Sequence, residues 1–250
     1  MKNTNKNLVA LITGASGDIG KAIAIEYASH GYNLALHYNS DEKSITSLIA
    51  LLAKYNVKVV AYKADFGSHT EIDKMMSKIG KDFGGVDVLV NNAGKDKKGL
   101  IFDEDYDSIL DTLKTNTVAP IYLTKLALPQ MISNREGRIV NISSIYARFG
   151  GSFESVYSAS KSAFTGFTSA LASELSDANI LVNNVAPGAI DTKMNADFNK
   201  KEQKEFFARS GVKRMGSPAE VAKIVYFLGS KDNTYINGQT IFVDGGLNLY

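Results

Sequence analysis

The chain contains no cysteine. Disulfides, thiolate catalysis and cysteine-ligated zinc are therefore excluded, and a reducing compartment suits the protein. Histidine is almost as scarce. His30, His37 and His69 show no metal-ligand spacing, so no metal is expected and each is assigned an ordinary surface or strand-edge role. A dominant sign of charge is missing too: the formal net charge of +2 gives no global field to draw nucleic acid or an anionic membrane. Long apolar runs are lacking as well. The opening MKNTNKN is a polar lead, and Leu8–Ile12 is only strand-length, so neither a signal peptide nor a membrane span is readable and a cytoplasmic protein is expected. No linker-like, low-complexity or repeated segment interrupts the 250 residues, so 1–250 reads as one domain.

What is present is a regular alternation. Short runs dense in Val, Ile, Leu and Ala occur at 8–13, 33–38, 57–64, 86–90, 138–143, 180–185 and 240–243. Their near-continuous apolar character is what strands covered on both faces require. Amphipathic helical patterns lie between and after them, at 19–30, 42–54, 69–82, 106–113, 119–133, 156–176 and 218–229. Ser217, Pro218 and Glu220 predict a capping box with proline in the first turn of the last helix. Strand–helix alternation of this kind predicts an α/β fold with a parallel, doubly wound sheet and right-handed crossovers.

The first strand runs into TGASGDIG, which sets Gly14, Gly17 and Gly20 at three-residue intervals. Glycine there lets the backbone approach a pyrophosphate, and the N–H groups of the following helix can meet phosphate oxygens. A tight strand-to-helix turn also needs glycine for steric reasons, so the turn alone is weak evidence.

Further on come NNAG at 91–94, Ser144, YSASK at 157–161 and PG at 187–188. With these motifs in this order and spacing over essentially its whole length, the chain resembles the short-chain dehydrogenase/reductase family. That resemblance implies a three-layer doubly wound Rossmann fold with a seven-stranded parallel sheet, and an NAD(P)-dependent oxidoreductase. Gly14, Ser16, Asp18, Ile19 and Gly20 would line the phosphates. The family turn usually carries glycine where this chain has Asp18, and Asp18 is read as the helix N-cap, its charge suited to the positive helix end.

At the tip of the second strand, an NAD site would place an acid on the ribose hydroxyls. Tyr38, Asn39 and Ser40 stand there instead, which favours NADP(H); NAD(H) or dual specificity is the alternative, since Gly17 replaces an arginine common in NADP-dependent members. The resemblance further implies that Asp65 holds the adenine amino group beside Phe66, and that Asn92, Ala93 and Gly94 pass beneath the adenosine. Asn91 and Asn92 equally suit a structural role, tying strand ends together. Pro187, Gly188, Ile190 and Thr192 of APGAIDT would seat the nicotinamide carboxamide.

Tyr157 and Lys161 lie four apart, hence on one helix face. A lysine cation beside the phenol favours phenolate, oxidised nicotinamide would add a second positive charge, and together they bring its titration nearer neutral pH, as general acid–base catalysis needs. The competing reading is a surface pair on an amphipathic helix. By family spacing, Ser144 rather than Ser143 would bind the substrate carbonyl, Lys161 would also bond the nicotinamide ribose, and Asn116 would hold a water linking Lys161 to solvent.

The segment 193–214 reads as a helical lid in which Met194, Phe198, Phe206 and Phe207 line a substrate pocket or anchor the lid. Lys95, Lys97, Lys98, Arg148, Lys193, Arg209 and Lys213 either steer an anionic substrate or acidic carrier protein, or form a solvated rim with Asp191, Asp197 and Glu205. The C-terminal third is most similar to 3-oxoacyl-carrier-protein reductases, which implies a small carbonyl or alcohol substrate, carried on acyl carrier protein, and a part in fatty acid biosynthesis. Related members act on sugars, polyols and other ketones. Ala159, Ala163, Gly166 and Ala170 form a small-residue stripe that suits either a homotetramer interface or packing against the sheet. A non-catalytic nucleotide sensor is the reading from another class.

Overall fold

The computed structural model describes residues 7–196, 204, 207–208 and 210–247. Among these, seven strands form one parallel sheet: β1 Val9–Ile12, β2 Asn33–Tyr38, β3 Val59–Lys63, β4 Val88–Asn91, β5 Gly137–Ile142, β6 Ile180–Pro187 and β7 Thr240–Val243. Their order is β3-β2-β1-β4-β5-β6-β7, so direction across the sheet reverses between β1 and β4. Helices α1 Asp18–Ser29, α2 Glu42–Leu52, α3 His69–Phe83, α4 Tyr106–Leu113, α5 Ala119–Asn134, α6 Tyr146–Phe149, α7 Ser155–Glu174 and α8 Pro218–Gly229 connect them. The sheet and the long helices stand where the apolar runs and amphipathic patterns put them. The one-turn α6 and the π-helical turn Lys114–Val118 between α4 and α5 carry no periodicity to announce them.

Two apolar layers sandwich the sheet. Ala10, Ile12, Leu34 and Leu36 face α1, α2 and α8, while Val9, Leu11 and Ala35 face α3, α5 and α7. The period-two alternation of Cβ directions sends neighbouring residues of one strand into opposite layers. This is the parallel, doubly wound sheet expected of the alternation, in the three layers that the resemblance implies. Ser217 and Glu220 close the expected capping box on α8, with Arg214 paired to the same glutamate.

One polar line crosses this apolar interior. Asn91 on β4 donates to Asn141 on β5 at 2.8 Å, and Asn141 donates to Thr168 on α7 at 2.9 Å. The Thr168 hydroxyl bonds Asn184 on β6 at 2.6 Å, and Asn184 donates to Thr240 on β7 at 3.1 Å. Asn91, Asn141, Asn184 and Thr240 are register neighbours, so the chain of amides pins the pairing of four strands. It also ties α7 to the sheet centre.

The small-residue stripe of α7 does not pack on the sheet. Phe164, Thr168, Leu171 and Ala172 do that, whereas Ala159, Gly166 and Ala170 are exposed and Ala163 is half-buried. A Cβ on Gly166 would meet nothing within 4 Å.

Thr168→Val keeps the shape and removes both hydroxyl bonds, leaving the amides of Asn141 and Asn184 short of partners. The variant should lose about 1–3 kcal/mol of stability. A lower urea midpoint with unchanged slope would register it; an unmoved midpoint would mean that the polar line contributes nothing.

Candidate active site

The carboxyl ends of the strands open into a cavity of about 510 Å³ that runs across the reversal between β1 and β4. Open α/β sheets place ligands at this point. At one end lies the glycine turn, and at the other lie Ser144, Tyr157 and Lys161.

The turn is held from beneath. Thr13 Oγ1 accepts from the N–H groups of Asn92 and Ala93 at 2.9 Å, and the Asn92 amide donates to the Thr13 carbonyl at 2.8 Å. Gly14 has φ +64°, and a Cβ there would come within 2.9 Å of the Ala93 backbone. A Cβ on Gly20 would collide with the Gly14 carbonyl oxygen. Both glycines are therefore demanded by the protein's own packing, as the steric reading of the turn allows. The structural reading of Asn91 and Asn92 holds in the same way.

Asp18 is not the helix cap. Gly17 occupies that position with no side-chain cap bond, and Asp18 is the first helical residue, its carboxylate accepting from the Lys193 N–H at 2.8 Å. The physical reason is distance: the side chain turns outward to a segment that returns over the turn, instead of back along its own helix. The N–H groups of Asp18, Ile19 and Gly20 consequently have no protein partner among the described residues. Uncapped donors at a helix start, opening on a cavity, fit a phosphate-bearing dinucleotide.

Ser16, Asn39, Ser40, Asp65, Phe66, Asn92, Ala93, Gly94, Pro187, Gly188, Ile190 and Thr192 also line the cavity. Tyr38 does not. Strand alternation puts it with Leu34 and Leu36 against the α2 layer, so its expected ribose contact is corrected. Asp65 Oδ1 is partly committed, accepting from the Gly67 N–H at 2.8 Å. Asp41, beside Ser40, also lines the cavity, but its carboxylate caps α2 through the Ser44 N–H.

His37 corrects a second expectation, since it is buried at the centre of the site's foundation. Its Nδ1 accepts from the Gly14 N–H at 3.1 Å, and its Nε2 donates to the Ala64 carbonyl at 3.0 Å. The ring stacks on Phe66 at 4.0 Å between centroids. Burial lowers its pKa from 6.5 to about 4, against the pull of the Ala64 carbonyl. The neutral tautomer is thus locked in place, supporting the turn from β2. Its alternation with Leu36 and Tyr38 was the available signal.

At the other end, Lys161 is 3% exposed and donates to the Ile142 carbonyl at 2.8 Å, while Ser143 donates to the Lys161 carbonyl at 3.1 Å. Burial lowers the lysine to about 8. Tyr157 lies above it, the ammonium 5.9 Å from the ring centroid. The pair is therefore no exposed surface pair. The protein's own groups do not lower the phenol. Burial pushes Tyr157 well above its ordinary value, Asp96, Glu154 and Tyr146 push the same way, and only a hydrogen bond with Ser144 opposes them. The lysine ammonium is bonded to a strand carbonyl.

Asn116 is fully buried in the π-helical turn and lies outside the cavity wall. Its amide donates to the Lys95 carbonyl at 2.8 Å and to Ser160 Oγ at 3.0 Å, and its oxygen accepts from the Lys95 N–H at 2.9 Å. Among the described residues it makes no hydrogen bond to Tyr157 or Ser144.

Of the expected lid, the turn Lys193–Asn195 borders the cavity through Met194. Phe198, Phe206, Arg209, Asp197 and Glu205 lie outside the described residues. Several rim cations are already engaged: Lys95 with Asp111, Lys97 with Glu104, and Lys213 with the Ala208 carbonyl. Asp96 and Glu154, which the motif reading passed over, line the cavity beside Tyr157; their nearness in sequence to NNAG and YSASK was the available signal.

The family described as enoyl-(acyl carrier protein) reductase matches residues 14–248. An uncharacterized oxidoreductase of Bacillus subtilis, YmfI, is 39% identical over 96% of this chain and 98% of its own. A 3-oxoacyl-[acyl-carrier-protein] reductase of Thermotoga maritima is 36% identical over 96% and 97%. Among solved structures, a blue fluorescent protein from a metagenomic library, in complex with NADPH, superposes with a TM-score of 0.90 at 34% identity, covering 96% of this chain and 98% of that one.

Because His37 binds its proton less readily folded than unfolded, its stabilising contribution is complete above pH 6.5 and is lost as pH falls toward about 4. His37→Gln, which cannot titrate, should show a smaller fall in urea midpoint between pH 7.5 and 5 than the native chain. Parallel falls would remove His37 as the acid-sensitive support of the turn.

Proposed function

The chain belongs to the short-chain dehydrogenase/reductase family of oxidoreductases, and from that premise we propose that it reduces a ketone to a secondary alcohol with NADPH. The observation that carries this reading is one continuous cavity with uncapped helix-start donors at one end and Ser144, Tyr157 and buried Lys161 at the other.

Gly14, Ser16, Ile19 and Gly20 would hold the phosphates, and Pro187, Gly188, Ile190 and Thr192 the carboxamide end. Asn39 and Ser40 border the ribose end of the cavity, and the nearby Asp41 carboxylate is spent on its own helix. That leaves hydroxyl and amide donors for a 2′-phosphate, which favours NADPH over NADH, as does the NADPH bound by the metagenomic neighbour. The bound dinucleotide supplies the hydride.

The Ser144 hydroxyl orients the carbonyl and steadies negative charge on its oxygen. Tyr157 gives that oxygen a proton as the carbon accepts the hydride. A phenol held above its ordinary value stays protonated across the neutral range, so it meets substrate in the donor form. Lys161, titrating near neutrality at about 8, restores the lost proton. Asn116 positions the Lys95 backbone and Ser160 around that lysine, and with it the path by which protons return from solvent.

The carrier-protein reductase among the relatives makes 3-oxoacyl thioesters the first substrates to try. The outward stripe of small residues on α7 supports a homotetramer, and the cysteine-free composition supports a cytoplasmic setting.

Tyr157→Phe should fold and bind NADPH with native affinity, while kcat falls by about 10²–10⁴. Ketone-dependent loss of NADPH absorbance measures the first quantity and fluorescence titration the second; near-native kcat would remove this mechanism. With the native chain, kcat/KM for NADPH should exceed that for NADH, and the reverse order would overturn the cofactor assignment.

A further inference from the structure

The cavity wall beside Tyr157 carries two carboxylates that carbonyl reduction does not require. Glu154 stands at the N-cap position of α7 yet makes no capping bond. It is only 9% exposed, and its carboxylate has no hydrogen-bond or ion-pair partner among the described residues. Asp96, two residues beyond the NNAG motif, has Oδ1 buried with no partner. The two are neighbours. Burial and then the Asp96 charge raise the pKa of Glu154 to about 7, and burial raises that of Asp96. Both also act on Tyr146 and Tyr157, so the four groups surround one space. Lys98 is the one cation among the described residues that faces both carboxylates.

An unpartnered carboxylate in a half-dry wall is unfavourable in the free protein. Packing alone would be better served by an apolar side chain there. The arrangement makes sense when something else brings the missing donor. A saturated acyl chain cannot, since its methylenes would desolvate both carboxylates and return no hydrogen bond.

Resting on the reductase reading above, we propose that Asp96 and Glu154 recognise a hydrogen-bond donor, a hydroxyl or a protonated amine, carried by the ketone close to its reacting carbonyl. The substrate is then a donor-bearing ketone rather than a plain oxoacyl chain. Tyr157 and Ser144 take the carbonyl end, and the carboxylate pair fixes which neighbour of that carbonyl lies inward. Sites built to bond a hydroxyl discriminate strongly against analogues without it, because the site's own polar groups are then left unpaired.

The test compares three ketones of one carbon skeleton, bearing a hydroxyl, an amine or hydrogen next to the carbonyl, with NADPH and the full chain. A donor-bearing ketone should exceed the deoxy ketone in kcat/KM by at least about tenfold, mostly through KM. In Glu154→Leu and Asp96→Leu that ratio should fall to about one; being a ratio within each variant, it is independent of the amount folded. Glu154→Gln and Asp96→Asn keep an acceptor oxygen, so they should retain a hydroxyl preference and lose an amine preference, which tells the two donors apart. Equal kcat/KM for all three ketones, or a preference unchanged in the leucine variants, overturns the proposal while leaving the reductase reading intact. A fall in melting temperature with the preference unchanged would mark Glu154 as structural and also overturn it. If no ketone, 3-oxoacyl thioesters included, consumes NADPH, the reductase reading fails and this inference falls with it.

Discussion

A lysine ammonium buried against the end of a strand is the constraint on which the site depends. Lys161 cannot leave water without an acceptor, and the Ile142 carbonyl at the tip of β5 provides it at 2.8 Å. That bond fixes the rotation and depth of α7. Ser143 holds the helix from the strand side through the Lys161 carbonyl, and Thr117 holds it from the π-helical turn through the Ser160 carbonyl at 3.0 Å. With the lysine pinned, Tyr157 one turn earlier has one place to be, beside Ser144 where β5 ends. The polar line through Thr168 repeats the logic two turns further along, so α7 is located on the sheet by directional bonds as well as by apolar contact.

The opposite end of the cavity is built on the same principle with different groups. Thr13 just past β1, His37 on β2 and Asn92 in the loop after β4 bond the backbone around Gly14 and the facing loop. Their bonds use up the turn's inward donors and acceptors and leave the helix-start N–H groups facing the cavity. Rigid support beneath and free donors above follow from one arrangement. It also explains why a carboxylate at Asp18 is tolerated: the side chain reaches Lys193 across the top instead of entering the space where the donors point.

Much of this was legible in the residues. Apolar runs of strand length, helices of period 3.6 and a glycine turn after the first strand lead to the observed sheet, because each is a local pattern with a local cause. The four-residue spacing of Tyr157 and Lys161 is local in the same sense, and so is the Ser217–Glu220 box. What could not be read was set by distant partners. Asp18 finds its acceptor role 175 residues away, and the burial of His37 depends on Ala64 and Phe66 arriving from β3. Tyr38 is a different case: the period of two along β2 already assigned it to the layer of Leu34 and Leu36, and the ribose reading set that period aside.

The titration of Tyr157 shows how burial outweighs charge at this site. A cation four residues away on the same helix face should draw the phenol down, and in water it would do so weakly. Here the same burial that brings the two together removes water from both. It lowers the lysine, raises the tyrosine, and leaves Asp96 and Glu154 as the charges aimed at the ring. The resting site therefore holds its proton on the phenol and its looser, titratable proton on the lysine behind it. That order suits giving a proton to a carbonyl oxygen and then replacing it from the protein side. In the resting state Asp96 and Glu154 thus act on the same ring that burial keeps protonated.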